Sequence, residues 1–191
     1  MLGRWTQNVT VLQGIFFGIL QFPLEFERNE NRRNKNSKTY YNYLLDKDMG
    51  YELTRLPMSL YSKLKRYQKD GVRYVLEHYG RCLIGDEMGV GKTLQGIWVA
   101  KIYDFDWPFL IICPTSLKLN WKLELKKWLI DLDESKIMII NTGSTTKEKF
   151  PDDIKSKDVY IMSYEIAKAR EKELHKHEFK MIICDEAHLL K

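Results

Sequence analysis

Five short runs, RCLIGD, FLIICP, KIMIIN, DVYIMS and KMIICD, are enriched in Ile, Leu, Val, Met, Cys and aromatic residues and lack the polar alternation of a half-exposed strand. Strands that read as continuous apolar runs are buried on both faces, so other elements must cover them. The stretches TLQGIWVAKIYD, LKLNWKLELKKWLI and EIAKAREKELHKHE, which lie between the runs, read as the covering helices, with a short polar connection at 141–151. This pattern constrains the chain to an α/β layer fold, a parallel sheet with helices on both faces. In such sheets ligands sit beyond the carboxyl ends of the strands. The residues that follow each run are therefore the first place to look for chemistry.

A chain of 191 residues is long enough to bury one ordinary core, and 44% hydrophobic with 30% charged residues places it in the globular class. A net charge of +5 suits a polyanionic partner without requiring one. Cys82, Cys113 and Cys184 stand in or at the end of apolar runs with no C-x-x-C spacing, which reads as small core residues in a reducing compartment. His175 and His177 lie on a charged helical stretch without a Cys or acid at ligand spacing, and no metal is expected there. Trp98, Trp121 and Trp128 fit helical faces against the sheet and read as core.

Toward the N-terminus, VTVLQGIFFGIL is apolar, but a single positive side chain, Arg4, precedes it, no small-residue cleavage pattern follows, and it is too short to span a bilayer. It is expected to pack on the body as a helix or a strand, and no membrane is implied. ERNENRRNKNSK, residues 27–38, has no apolar periodicity and reads as a solvated linker. Residues 1–55 thus form an N-terminal extension with a polar linker, and residues 56–191 form the folded lobe. Within 59–80, Leu60, Leu64, Tyr67, Val72, Val75 and Leu76 recur at helical steps interrupted by Gly71, with Gly80 as a stop. Two short helices or one bent helix satisfy that spacing.

The first strand end carries EMGVG between LIGD and KTLQGIWVAKIYD. Gly89 and Gly91 permit backbone conformations that let successive N–H groups converge on an anion, and the following helix N-terminus adds partial positive charge. Asp86, Glu87, Met88, Gly89, Val90, Gly91, Lys92 and Thr93 then form a phosphate cradle, with Lys92 reaching the terminal phosphates and the Thr93 hydroxyl available to Mg²⁺. The strict pattern G-x-x-x-x-G-K-[ST] is not met, because its first position is Asp86 and Gly85 stands one place too early. The last strand end supplies the complementary acids in CDEAH: Asp185 to hold Mg²⁺ and Glu186 to polarise an attacking water, with His188 next in line to couple phosphate state to the substrate surface. Asp-Glu-Ala-His alone would also serve as a capped helix start.

These residues resemble the Swi/Snf-type ATPases of helicase superfamily two. DEMGVGKT resembles their motif I, and DEAH followed by LLK their motif II. KRYQKDGV, residues 65–72, is similar to the family's leading segment, which implies that Gln68 contacts adenine. IICPTSLKLNW resembles motif Ia and VYIMSYE motif Ib, which implies that Thr115, Ser116, Lys118, Ser163 and Tyr164 line a nucleic-acid track. The likeness extends from about residue 56 to 191 and is strongest to the annealing-helicase branch, which rewinds DNA at stalled replication forks. It implies a RecA-like P-loop NTPase lobe, the cofactors ATP and Mg²⁺, Lys92, Asp185, Glu186 and His188 as catalytic residues, a DNA partner held through its backbone, a nuclear location, and a second RecA-like lobe bearing arginine fingers. The sequence stops three residues past His188, before motif III. The 191 residues alone are therefore expected to bind ATP and hydrolyse it poorly. Two alternatives stay open: a superfamily-two RNA helicase lobe, and a non-catalytic nucleotide- or DNA-binding module. Thr115 and Ser116 would equally serve as helix caps and Tyr164 as a packed ring.

Overall fold

The computed structural model describes residues 15–19, 62–78, 80–87, 89–141, 150–151, 153–177 and 179–189. The linker at 27–38, the stretch at 40–57 and most of the polar connection after Asn141 lie outside them. In chain order the elements are β1 (Ile15–Ile19), α1 (Arg66–Glu77), β2 (Cys82–Ile84), α2 (Lys92–Ile102), β3 (Phe109–Ile112), α3 (Lys118–Trp128), β4 (Ile137–Ile139), β5 (Val159–Met162), α4 (Tyr164–Ala169), α5 (Glu171–His177) and β6 (Met181–Cys184). All five runs read from the sequence are strands. None of the described helices is long and apolar enough to cross a membrane.

The strands form one sheet in the order β2-β1-β6-β3-β5-β4. β3 pairs parallel with both β5 and β6, and β4 pairs parallel with β5. β3 and β5 are buried at every position. Alternate residues of β3 enter different clusters: Phe109 and Ile111 pack with Val72, Trp98 and Trp121, whereas Leu110 and Ile112 pack with Tyr160, Met162 and Phe179. A period of two puts those clusters on opposite faces, so the sheet is covered on both sides. α2 carries seven buried residues among its eleven, which suits a helix enclosed between the sheet and its neighbours.

One strand departs from the all-parallel expectation. β1 lies between β2 and β6 and is antiparallel to both. Residues 15–19 are therefore a strand inside the sheet rather than a segment packed on its outside. Two reversals leave β2 and β6 parallel to each other. Phe16 faces Leu83 on one side and Cys184 on the other, so those two residues stand at one level. Ile112 is level with Cys184 and with Met162. The carboxyl ends of β2, β3, β5 and β6 consequently open on the same edge.

Two helical expectations are also corrected. α1 runs unbroken through Gly71, and a Cβ at Gly71 would lie 2.0 Å from Gln95 Oε1, so that glycine answers to helix packing. Gly80 does stop the segment, at φ 70° with its N–H donating to Val75 O. The last helical stretch divides at Arg170, whose side chain is buried and donates to Glu173.

Candidate nucleotide site

The turn after β2 is built from two left-handed glycines with different constraints. Gly89 has φ 80°, and a Cβ there would meet nothing within 4 Å, so its glycine serves the backbone fold and leaves open space above. Gly91, the N-cap of α2, has φ 89°, and a Cβ would lie 2.5 Å from Gln68 Nε2. Gln68 is buried; its amide donates to Val90 O at 3.0 Å and accepts from Lys65 N at 3.0 Å. Tyr67 Oη donates to the same Val90 carbonyl at 3.1 Å. The glutamine that the resemblance assigns to adenine thus also braces the loop from α1.

Asp86, standing where the strict phosphate-loop pattern has glycine, accepts a 2.8 Å bond from Gln95 Nε2. That bond ties the start of the loop to α2. Sequence reasoning missed Gln95, whose only signal was its place one turn into the helix that the loop opens. Lys92 Nζ donates to the carbonyls of Asp86 at 2.6 Å and Glu87 at 2.8 Å, curling over the loop it belongs to. A phosphate that takes this ammonium replaces those two carbonyls. Thr93 sits half-buried in the first turn of α2, and Met88 lies outside the described residues.

Across the same edge stands Asp185, buried, with its N–H donating to Ile112 O at 2.8 Å. Its Oδ2 accepts from Trp121 Nε1 at 2.8 Å and its Oδ1 from Glu186 N at 3.0 Å. Burial raises the Asp185 carboxyl above its ordinary range; the Trp121 bond opposes this, the Glu186 charge adds to it, and the Glu186 N–H and the Lys92 charge pull it down. Glu186 adopts φ 53°, a left-handed conformation that non-glycine residues rarely take and that clusters at functional sites. Its Oε2 lies 3.3 Å from His188 Nδ1 without hydrogen-bond geometry, and that nitrogen is buried.

A buried carboxylate whose acceptor oxygens lie at the same sheet edge as a helix-start hydroxyl has the oxygen chemistry that a hard divalent cation takes. No group of three or more His, Cys, Asp or Glu that would hold a metal by themselves occurs among the described residues. Mg²⁺ suits that arrangement, because it is commonly held by one or two protein ligands together with waters and substrate phosphates.

The residues expected on the nucleic-acid side divide. Thr115 and Ser116 are exposed in a short turn before α3, and neither side chain caps a helix. Lys118, expected as a free cationic donor, is buried and donates to Asn141 Oδ1 at 2.8 Å and Ile140 O at 3.4 Å. Its ammonium holds β4's end to α3 rather than facing outward. Ser163 is buried and caps α4, and Tyr164 Oη donates to the Asp185 carbonyl at 2.6 Å. Burial pushes the Tyr164 phenol above its usual range and keeps it a donor. These three side chains serve the lobe's interior.

The SNF2-related domain matches residues 67–191. The chain is 41% identical over 138 residues to the Caenorhabditis elegans homologue of SWI/SNF-related matrix-associated actin-dependent regulator of chromatin subfamily A-like protein 1, covering 72% of this chain and 19% of that protein. It is 35% identical over 140 residues to the human DNA annealing helicase and endonuclease ZRANB3, covering 71% and 12% respectively. The chain thus spans a fifth or less of these relatives. Among solved structures, the Sulfolobus solfataricus SWI2/SNF2 ATPase core in complex with dsDNA aligns with a TM-score of 0.49 at 28% identity, covering 62% of this chain and 25% of that one.

Proposed function

This chain belongs to the SNF2-related domain family, and from that premise we propose that it is the ATP-binding first lobe, RecA-like in fold, of a DNA-dependent motor of the annealing-helicase kind. The observation that carries this reading is the convergence of two strand ends. The glycine turn after β2 and the Asp-Glu pair after β6 open on one edge of the sheet.

In this reading Lys92 leaves the Asp86 and Glu87 carbonyls for the terminal phosphates, while the amides around Gly89 and Gly91 hold the phosphate chain. Thr93 and Asp185 would hold Mg²⁺, which when bound supplies neutralisation of the charge that develops on the transferred phosphoryl group. Glu186, held in its left-handed turn, orients the attacking water, and His188 beside it couples phosphate state to the substrate surface. Gln68 takes the base end, as the family's leading segment implies, while bracing the loop through Val90. Thr115 and Ser116 are the exposed donors for backbone phosphates of DNA, and the intact protein is placed in the nucleus.

Turnover of ATP by the intact protein, measured with duplex DNA, with RNA and with neither, tests this reading. Duplex DNA is expected to stimulate hydrolysis and Lys92→Ala to abolish it with the fold retained. The 191-residue chain by itself is expected to bind ATP but turn it over slowly, because arginine fingers contribute roughly 10³–10⁵ in rate. Stimulation by RNA in place of DNA would favour the RNA-helicase alternative, and robust turnover by the short chain would overturn the two-lobe reading.

A further inference from the structure

Trp121 lies on α3, and its ring is fully buried. Two other indoles of this fold use local acceptors: Trp107 donates to Ala100 O, and Trp128 to the Glu124 carboxylate one turn away on its own helix. Trp121 instead donates to a carboxylate 64 residues away, the one that stands opposite the phosphate cradle. The terminal torsion of an aspartate is broad, so the direction of its lone pairs must be set by what it touches. An ionised carboxylate offers about four lone-pair positions. Here Trp121 takes one on Oδ2 and Glu186 N takes one on Oδ1, so that among the described residues one position stays open on each oxygen, aimed by those two donors.

The main chain of Asp185 is held equally firmly. Its N–H is bound by the end of β3 and its carbonyl by Tyr164 Oη. The indole is thus the side-chain donor of the clamp that acts on the carboxylate, beside the main-chain donor Glu186 N, and it comes from the helix that starts directly after the exposed Thr115–Ser116 turn. We propose that Trp121 is a positioning residue that sets the orientation of the Asp185 carboxylate for Mg²⁺ and links the exposed Thr115–Ser116 turn to the metal through α3. This rests on the nucleotide reading above.

The test uses the whole chain and a fluorescent ATP analogue, titrated with Mg²⁺ present and again with EDTA. Trp121→Phe keeps a ring in the core and removes the donor. The expected result is unchanged affinity in EDTA and loss of about tenfold in the gain that Mg²⁺ confers, the low end of the 10–100-fold effect of outer-sphere partners. Circular dichroism reports whether the variant folds. If it does not, replacement of Trp121 by benzothienylalanine, which substitutes sulfur for the N–H at nearly constant volume, gives the same comparison. In the unsubstituted chain, the ¹⁵N indole resonance that either variant lacks is expected to move on addition of Mg²⁺ to the nucleotide complex and to stay in place on addition of nucleotide alone. Equal Mg²⁺ gain in the variant and the parent overturns the positioning role while the nucleotide reading survives. Failure of the parent chain to bind the analogue overturns both.

Discussion

At the scale of single residues, the loop is held through contacts that are tight enough to be tested in pairs. Gln95 is fully buried; its Nε2 binds Asp86, and its Oε1 lies against the bare face of Gly71 with no hydrogen-bond partner. Gly71→Ala puts a methyl group 2.0 Å from that oxygen, so Gln95 must move and release Asp86, or the two helices must part. Overpacking of this kind costs about 1–3 kcal/mol. Gln95→Ala alone removes the Asp86 donor and opens a space, and the methyl from Gly71→Ala fills part of that space. The double variant is therefore expected to be more stable than the sum of the single effects by about 0.5–3 kcal/mol, the range found for residues in contact. Urea denaturation of the four proteins measures this coupling. Additive losses would show that Gly71 answers to something other than Gln95.

At the scale of elements, what was legible in the sequence was what burial writes locally. β3, β5 and β6 showed themselves as unbroken apolar runs because covered strands need no polar face, and the residues after them marked the site because side chains at strand ends follow the strands. β1 was legible as an apolar segment only. Nothing in IFFGI specifies that its partners are β2 and β6 or that it runs against both, because pairing across such a separation is decided by the whole sheet. Gly71 misled for a related reason, since its cause lies on α2 rather than on its own helix. Trp121 was legible as core, but its charged partner was set by tertiary placement. The interior position of β1 predicts the effect of a proline. Phe16 is paired on both sides, and proline is found in sheets only at edges, first positions or bulges. Phe16→Pro is expected to lower the melting temperature and to speed amide exchange in β2 and β6 together, with β4 and β5 at the far side still protected. Unaltered protection of β2 and β6 would mean that β1 is not wedged between them.

At the scale of the whole molecule, the proposed reading asks one edge of the sheet to serve both a triphosphate and a DNA backbone, and the two demands use different kinds of side chain. Cations that neutralise DNA phosphates release counterions, and each contributes about 0.9 to the slope of log affinity against log salt. Hydroxyl donors such as Thr115 and Ser116 add affinity without displacing an ion. Lys118 discriminates between these cases, because the sequence alone suggests a cation on the DNA side while the structure shows its ammonium turned inward to Asn141 and Ile140. With duplex DNA and the whole chain, Lys118→Met is expected to lower the melting temperature and to leave the salt slope unchanged, since no phosphate loses a partner. Thr115→Ala with Ser116→Ala is expected to weaken binding equally for unrelated DNA sequences, again at constant slope and without loss of stability. A drop of about 0.9 in slope for Lys118→Met, with the melting temperature preserved, would mean that the side chain leaves the interior when DNA arrives and that α3 carries the charge as well as the hydroxyls.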